Sequence, residues 1–243
     1  MRRLALIRSL KTLVGLTLIG ITSLATLLGC AGTHRARNVE PSGFLKDYAQ
    51  LQPGGDDEAL LLFIDPKADF RRYTKIQMDP IRVYTGEEDS PLRTMSPEDL
   101  KKLLDYFDAS IRTALGDHYT FVTKPGPDVM HFRIALTEAR SARVPLDVIS
   151  SVMPPAVAIN MLKTVATGKG TGLGEASMEF EALDSLSNKR LAAAVDRRVG
   201  AKYTGKFDKF SKWRTPKAAF DYWSARLSER LVELRNPAPA PAK

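Results

Sequence analysis

The chain of 243 residues contains a single cysteine, Cys30. One cysteine cannot form an intramolecular disulfide, so the sequence excludes a disulfide-stapled scaffold. The chain has only three histidines, His34, His118 and His131, which are far apart in the sequence. Because no pair of them has the spacing of a zinc site, we expect no metal and no cofactor.

Acidic residues are missing from the first thirty positions, where Arg2, Arg3, Arg8 and Lys11 supply half of the formal net charge of +8. The rest of the chain is only mildly basic, which argues against a nucleic-acid-binding protein. Overall, 44% of the residues are hydrophobic and 26% are charged. These fractions are typical of a foldable globular chain.

A run of apolar residues long enough to span a bilayer is also missing. The basic residues precede an apolar run of about fifteen residues, from Thr12 to Thr26, whereas a transmembrane helix needs ~20. A basic start, an apolar run and a small residue before the cleavage site are typical of a secretory signal peptide. We therefore predict a signal peptide over residues 1–29, cut between Gly29 and Cys30.

The end of this segment, Leu27-Leu28-Gly29-Cys30, resembles the lipobox of bacterial lipoproteins. The resemblance implies that Cys30 is lipidated and carries palmitate-like acyl chains, which would make the lipid bilayer a partner. In Gram-negative lipoproteins an aspartate after the cysteine tends to retain the protein in the inner membrane. Here that residue is Ala31, which favours the periplasmic face of the outer membrane, with the inner membrane as the alternative.

The remaining chain divides into three parts. Residues 30–40 contain almost no large apolar side chains and are predicted to be the lipidated cysteine and a flexible tether, which would reach ~35 Å at most. Residues 41–235 are predicted to form one folded domain. Residues 236–243 are a tail rich in proline and alanine that cannot continue a helix.

Apolar periodicity within 41–235 predicts a mixed set of elements. Strands are expected at 59–65 (buried), 73–84, 119–123 and 129–137, with Pro80 at an edge or a bulge. Residues 176–182 and 191–199 predict a hairpin with one solvent-exposed face. Ser96-Pro97 and Thr215-Pro216 predict capped helix starts, and the first helix should end near Gly116. This order favours an α+β fold with a mainly antiparallel sheet and two main helices on one face.

Several segments resemble a known family. They are Ser42–Tyr48 (SGFLKDY) followed by Leu51–Gly54, then Gly174–Glu181, Leu191–Arg198 and Phe220–Leu227. They are similar to the bacterial lipoproteins of domain of unknown function 3313, although the turn 184–188 lacks the expected Thr-Gly. The resemblance implies a periplasm-facing lipoprotein without an established activity. The element order also resembles the periplasmic domains of the curli secretion lipoprotein and the amino-terminal Tol domain, an analogy that transfers no function.

Motifs for catalysis are weak. The glycines of 168–174 precede a predicted strand, so they indicate a flexible entry to the hairpin and not a phosphate loop. The acidic clusters 56–58 and 87–89 lie beside glycines and are expected to be solvated, with no apolar pocket nearby. Paired carboxylates could cleave a glycan if one were buried with a raised pKa. No Gly-x-Ser-x-Gly elbow occurs.

Two features favour binding instead. Aromatic and charged residues in the family-like segments could line a binding surface, and these are Phe44, Asp47, Tyr48, Tyr222 and Arg226. The stretch 144–165 is markedly apolar and is expected either to cover a partner or lipid, or to pack against the domain with a crossover helix over 156–165. The sequence thus favours a non-catalytic, lipid-tethered module that binds a protein or wall component of the envelope. An envelope hydrolase acting on peptidoglycan or another glycan is the alternative.

Overall fold

The structure of the protein, a computed structural model, describes residues 33–86, 90–140, 174–200 and 213–237. The predicted signal peptide, Cys30, the apolar stretch 144–165 and most of the glycine run lie outside these residues. The acidic cluster 87–89 also lies outside them.

Within the described residues, nine strands form one sheet. They are β1 Thr33–Arg35, β2 Gln52–Pro53, β3 Leu61–Ile64, β4 Lys75–Met78, β5 Arg82–Val83, β6 Thr120–Val122, β7 Val129–Arg140, β8 Glu175–Asp184 and β9 Arg190–Gly200. The strand order is β2-β3-β9-β8-β7-β4-β6, with β1 also paired to β9 and β5 to β7. Five pairings are antiparallel and three, which all involve β4 or β5, are parallel. The predicted mainly antiparallel sheet is confirmed.

The helices in the described residues are α1 Pro91–Thr94, α2 Pro97–Leu115 and α3 Arg214–Arg235, with a 3-10 turn at Phe70–Arg72. Helix α2 begins as expected, because the Ser96 side chain accepts a hydrogen bond from the backbone of Asp99, and Gly116 ends it. The predicted cap of α3 is wrong. Its N-cap is Trp213 and makes no side-chain capping bond, and the Thr215 side chain lies against Gly200 instead.

Both long helices pack on one face of the sheet, as predicted. The rings of Phe107 on α2 and Phe220 on α3 stack with their centroids 4.3 Å apart, and Trp223 adds a third ring 5.8 Å from Phe107. Alternate residues of β7 and β8, such as Phe132 and Phe180, complete this core. The main core of this α+β fold therefore lies between the two long helices and one face of the sheet.

The opposite face was predicted to be solvent-exposed, and this prediction is wrong. Every residue of β8 is buried. The cause is the segment Ser42–Leu51, here called the clasp, which lies across this face and packs its apolar side chains on Ala135, Ala193 and Val195. Alternation along a strand shows that two faces differ, but it does not show what covers the polar one.

Regular structure also includes residues that the sequence assigns to the tether. Thr33–Arg35, assigned to the tether, pair with β9, and the guanidinium of Arg198 donates to the Thr33 carbonyl at 3.2 Å. Strand β3 pairs with residues 192–195 of β9, and β1 pairs with residues 198–200 of the same strand. Strand β1 thus supplies hydrogen bonds to an edge that would otherwise be open to pairing with another chain.

Two smaller differences concern the strands before α1. Strand β3 is half-buried, whereas the sequence predicts a buried strand. Pro80 interrupts the predicted strand 73–84, and β4 and β5 on either side of it each run parallel to β7. Pro80 therefore separates β4, which lies between β7 and β6, from β5, which pairs with β7 alone among the described strands and lies at an edge as the sequence predicted.

Candidate functional site

The fully buried carboxylate of Glu179 on β8 holds the clasp to the sheet. Its two oxygens accept hydrogen bonds from the backbone of Ser42 at 2.5 Å, the backbone of Leu45 at 3.2 Å and the hydroxyl of Tyr48 at 2.6 Å. None of these donors is a cation. Burial and the neighbouring Glu179 raise the pKa of the Tyr48 phenol to about 12.

The local chain geometry of the clasp depends on Gly43. Its φ of +97° lies in the left-handed region, which glycine adopts without a steric penalty. The turn brings the backbone of Gly43 to the Tyr48 hydroxyl at 2.8 Å. Arg190 fixes the other side of the clasp, since its guanidinium donates to the carbonyl oxygens of Leu45 and Asp47 at 3.0 and 2.9 Å.

The other buried glutamates of this face are paired with arginines. Glu181 binds Arg133 and Arg190. Glu175 binds Arg140 at 3.0 Å and Arg197 at 2.6 Å. Buried carboxylates are retained only with such compensation, so this face is a structural network of charge pairs and hydrogen bonds.

An apolar cavity of about 120 Å³ lies on the opposite, helix-covered face, between α3 and the sheet. Its apolar wall is formed by side chains from β3, β8, α2 and α3, among them Leu62, Ile64, Met178, Phe180, Ile111, Leu227 and Leu231. The small side chains of Ala182, Ala192 and Ala194 leave the space open. An apolar cavity of ~150 Å³ is large enough to hold a benzene molecule, so this slightly smaller one fits a short alkyl group or part of a ring.

One carboxylate, Asp196, lies in the cavity wall and is almost fully buried. It accepts a hydrogen bond from the Trp223 indole at 2.6 Å and one from the backbone of Leu60 at 3.2 Å. Burial raises the pKa of Asp196, because the loss of hydration outweighs the stabilising effects of Trp223 and Arg198. A buried acid with a raised pKa is thus placed beside an otherwise apolar space.

The mouth of the cavity is polar. Tyr222 and Arg226 of α3 donate to the Asp57 carbonyl at 3.3 and 3.1 Å. The Arg198 guanidinium stacks over the Tyr222 ring, 3.7 Å from its centroid. Glu58 pairs with Arg230 at 3.1 Å. The expectation that no apolar pocket lies near the acidic cluster 56–58 is therefore wrong.

The five residues predicted as one binding surface lie in two places. Phe44 is buried in the clasp, Tyr48 is half-buried against Glu179, and Asp47 is exposed. Tyr222 and Arg226 lie at the cavity mouth, on the other face of the sheet. The structure does not bring these two groups together.

Comparison with known proteins gives a family match over most of the chain. The model of a family described as "Protein of unknown function (DUF3313)" matches residues 40–227, more than half of the chain. The chain belongs to this family. It is 27% identical over 185 residues to the uncharacterized lipoprotein YdcL of Escherichia coli (strain K12), covering 74% of this chain and 80% of that protein. The YdcL protein of Escherichia coli O157:H7 has the same values.

Among solved structures, the PelC dodecamer from Paraburkholderia phytofirmans is similar with a TM-score of 0.36 and 12% identity, covering 63% of this chain and 88% of that one. A DUF4136 family protein from Bacteroides thetaiotaomicron has a TM-score of 0.34 and 8% identity, covering 70% and 95%. Among the described residues, no helix is long and apolar enough to cross a membrane.

Two residues central to this DUF3313 structure were not recognised from the sequence. Glu179 was assigned to an exposed face, and its contacts lie more than 130 positions away in the sequence, which no local pattern reveals. The position of Asp196 in the sequence does indicate its buried environment. It is in phase with the buried residues Ala192 and Ala194, and an acid in phase with a buried alternation indicates a special environment.

Proposed function

We propose that this lipoprotein is a binding module of the cell envelope that is held by acylated Cys30 to the periplasmic face of the outer membrane. The cavity beneath α3 receives an apolar side chain of a protein partner. The observation that carries this proposal is the apolar cavity with Tyr222 and Arg226 at its mouth. Aromatic and arginine side chains around an apolar pocket are typical of the energetically dominant part of a protein interface.

The chemistry of the cavity favours an apolar side chain over a sugar. Its wall is built mainly from aliphatic and aromatic residues, whereas glycan binding needs many hydrogen-bonding groups. The mouth supplies such groups at its rim only, where Tyr222 and Arg226 already donate to the Asp57 carbonyl and Glu58 pairs with Arg230. A partner would insert a ring or alkyl group and make polar contacts around it.

The glutamates of the clasp-covered face support a non-catalytic role. Glu179 is occupied by the clasp, and Glu175 and Glu181 each bind two arginines. Carboxylates fixed in this way hold the fold together and are not free to exchange protons with a substrate. The buried acids of β8 are therefore accounted for by stability.

A second candidate is an envelope hydrolase, and the raised pKa of Asp196 is the observation that favours it. A general acid in glycan cleavage needs such a pKa. Release of soluble fragments from purified peptidoglycan by the full chain, abolished by Asp196→Asn, would establish the hydrolase. Absence of release from wild type under the same conditions supports the binding module.

The binding proposal is tested by photo-cross-linking in the bacterium that makes the protein. A benzophenone amino acid replaces Tyr222 in the full lipoprotein, and a matched control places it at Lys101, on the exposed side of α2. We expect one discrete adduct with an envelope protein at position 222 and none at 101.

A cavity-filling change makes this test specific. Ala194→Leu occupies the cavity, so the adduct at position 222 should be strongly reduced, while thermal unfolding of the variant shows whether it is still folded. An adduct that is unchanged in folded Ala194→Leu, or absent in wild type, would contradict the proposal.

The membrane attachment has its own test. Cys30→Ser should abolish palmitate labelling, because the cysteine sulfur is the atom that is alkylated with diacylglycerol. Unchanged labelling would refute lipidation at Cys30.

A further inference from the structure

Two arginines lie directly opposite each other where β1 pairs with β9. Arg35 and Arg198 are partners in the register of these antiparallel strands, so their side chains lie on the same face of the sheet. Like charges directly opposite each other destabilise a sheet. These two residues, here called the arginine pair, therefore need other contacts to offset their repulsion.

The contacts that the structure shows for the arginine pair are with neutral groups. Arg198 is only 6% exposed, and its guanidinium donates to the carbonyl oxygen of Thr33 at 3.2 Å and to the Thr33 hydroxyl at 3.4 Å. Arg35 donates to three backbone carbonyl oxygens of the loop 54–59. Its Nε is buried without a hydrogen-bond partner among the described residues. A guanidinium has five N–H donors, so the pair has unused donors as well as two positive charges.

Other partly buried arginines of the fold have an acid as a partner. Arg190, for example, binds Glu181 at 3.1 Å. Asp196 lies two positions before Arg198, but its oxygens accept hydrogen bonds from other residues, and it interacts with Arg198 only through its charge. Burial of a cation without a bound acid costs free energy. An anion from outside the chain would supply the missing negative charge.

The arginine pair borders the cavity under α3. The Arg198 guanidinium stacks over the ring of Tyr222 at the cavity mouth, 3.7 Å from the ring centroid. Arg35 donates to the carbonyl oxygen of Ala59, which lines the cavity, at 3.3 Å. A ligand that fits both features has a short apolar group and an anion close together.

We propose that the arginine pair binds the free C-terminal carboxylate of the protein partner, while the last side chain of that partner, a short alkyl group, enters the cavity. This inference rests on the binding function proposed above and specifies the part of the partner that is recognised. Only the last residue of a chain carries a carboxylate and an alkyl side chain on one Cα atom. The planar guanidinium matches a carboxylate, and capture of a terminal carboxylate is a recurring mode of peptide recognition.

The test uses two small probes that differ in charge. N-acetyl-leucine presents an isobutyl group and a carboxylate, whereas N-acetyl-leucinamide presents the same isobutyl group and a neutral amide. Each probe is titrated into the full lipidated chain, held in lipid nanodiscs and labelled with 5-fluorotryptophan. Trp223 lies in the cavity wall, so its fluorine signal reports binding, and Trp213→Phe identifies the signal of the other tryptophan.

We expect N-acetyl-leucine to bind at least about tenfold more tightly than the amide, because charge-assisted hydrogen bonds are the stronger ones. Arg198→Met and Arg35→Met each remove one charge and should abolish most of this preference. Arg71→Met, at an exposed ion pair, is the matched control and should leave it unchanged. Thermal unfolding shows whether each variant is folded, and the wild-type comparison stands by itself if a variant is not.

Equal affinities of the two probes for wild type would overturn the inference. If both probes were then lost in folded Ala194→Leu, the cavity would remain the binding site and the proposed function would stand without the carboxylate. Binding of neither probe would overturn the inference and would also count against the cavity. Inorganic phosphate that shifts the Trp223 signal as strongly as N-acetyl-leucine would reveal a general anion site and would equally overturn the C-terminal assignment.

Discussion

The two faces of the sheet are both buried, but different interactions bury them. The helix-covered face packs aromatic and aliphatic side chains, with Phe107 and Phe220 at its centre. The clasp-covered face pairs glutamates with arginines and gives Glu179 to the clasp. The first face contains a cavity, whereas the polar groups of the second are taken up by one another. This difference places the candidate binding site under α3.

The two faces also differ in the interactions that stabilise them. Apolar burial on the helix side depends on close packing and changes little with pH. The clasp side depends on buried acceptors that must keep their donors, so single isosteric changes should affect it in a pH-dependent way. Three substitutions test this division, and a fourth, at Asp184, tests a hydrogen-bonded acid that is in phase with the helix-covered residues of β8; all four are ordered from the largest to the smallest expected effect.

Phe107→Ala should destabilise the protein most, by about 3–5 kcal/mol, because it removes a buried ring and leaves a cavity between α2 and α3. Phe121→Ala is a suitable control, since Phe121 is only half-buried on the edge strand β6. Urea unfolding followed by tryptophan fluorescence measures both. Equal losses for the two variants would contradict the assignment of the core.

Glu179→Gln should cost about 2–3 kcal/mol, because the amide has one acceptor oxygen and its NH2 group would face the donors of the clasp. Hydrogen exchange should accelerate at the backbone amides of Ser42 and Leu45. Glu98→Gln, at an exposed position on α2, is the control and should change neither stability nor exchange. Retained protection of both amides in Glu179→Gln would show that the carboxylate does not hold the clasp.

Tyr48→Phe should cost about 1–2 kcal/mol at neutral pH, since it removes the hydroxyl that donates to Glu179. The pKa of Tyr48 is raised to about 12 in the folded protein, mainly by burial, from its usual value near 10. The unfolded chain therefore ionises first, and wild type loses stability as the pH rises from 10 to 12.

The slope of stability against pH should be shallower in Tyr48→Phe over this range. It should not vanish, because burial and Asp184 also raise the pKa of Tyr73 to about 12. Urea midpoints at several alkaline pH values measure it, and a slope equal to that of wild type would contradict the shift at Tyr48.

Asp184→Asn should have the smallest effect, about 1 kcal/mol at neutral pH. Burial raises the pKa of Asp184, but hydrogen bonds from Ser187, Tyr73 and Leu186 outweigh it and hold the pKa below the usual range. The carboxylate therefore stabilises the fold above its ordinary pKa, and this contribution is lost as the pH falls through the lower folded pKa. The difference between variant and wild type should shrink in acid; a constant difference would contradict this.

The helix-covered face was largely predictable from the sequence. The apolar spacing of α2, its Ser96 cap and Gly116 stop, and the alternation of β8 and β9 follow from local chemistry. The clasp-covered face was not. The residues of SGFLKDY were recognised as family-like, but their role depends on Glu179, which is brought to them only by folding.

The sequence predicted only part of the candidate site, for a similar reason. Tyr222 and Arg226 lie at the cavity mouth. Phe44 and Tyr48 are also aromatic, but they pack within the clasp. Residue type indicates the capacity to bind, and only the three-dimensional position shows whether the side chain is used within the fold. The alanines that open the cavity carry no chemical signal of their own.

Parallel photo-cross-linking at Tyr222 and Asp47 in the lipidated protein tests the central claim most directly. Both residues belong to the surface predicted from the sequence, and they lie on opposite faces of the sheet. If the cavity under α3 is the binding site and the clasp is structural, position 222 gives a discrete envelope-protein adduct and position 47 gives none. An adduct at position 47 alone would contradict the account.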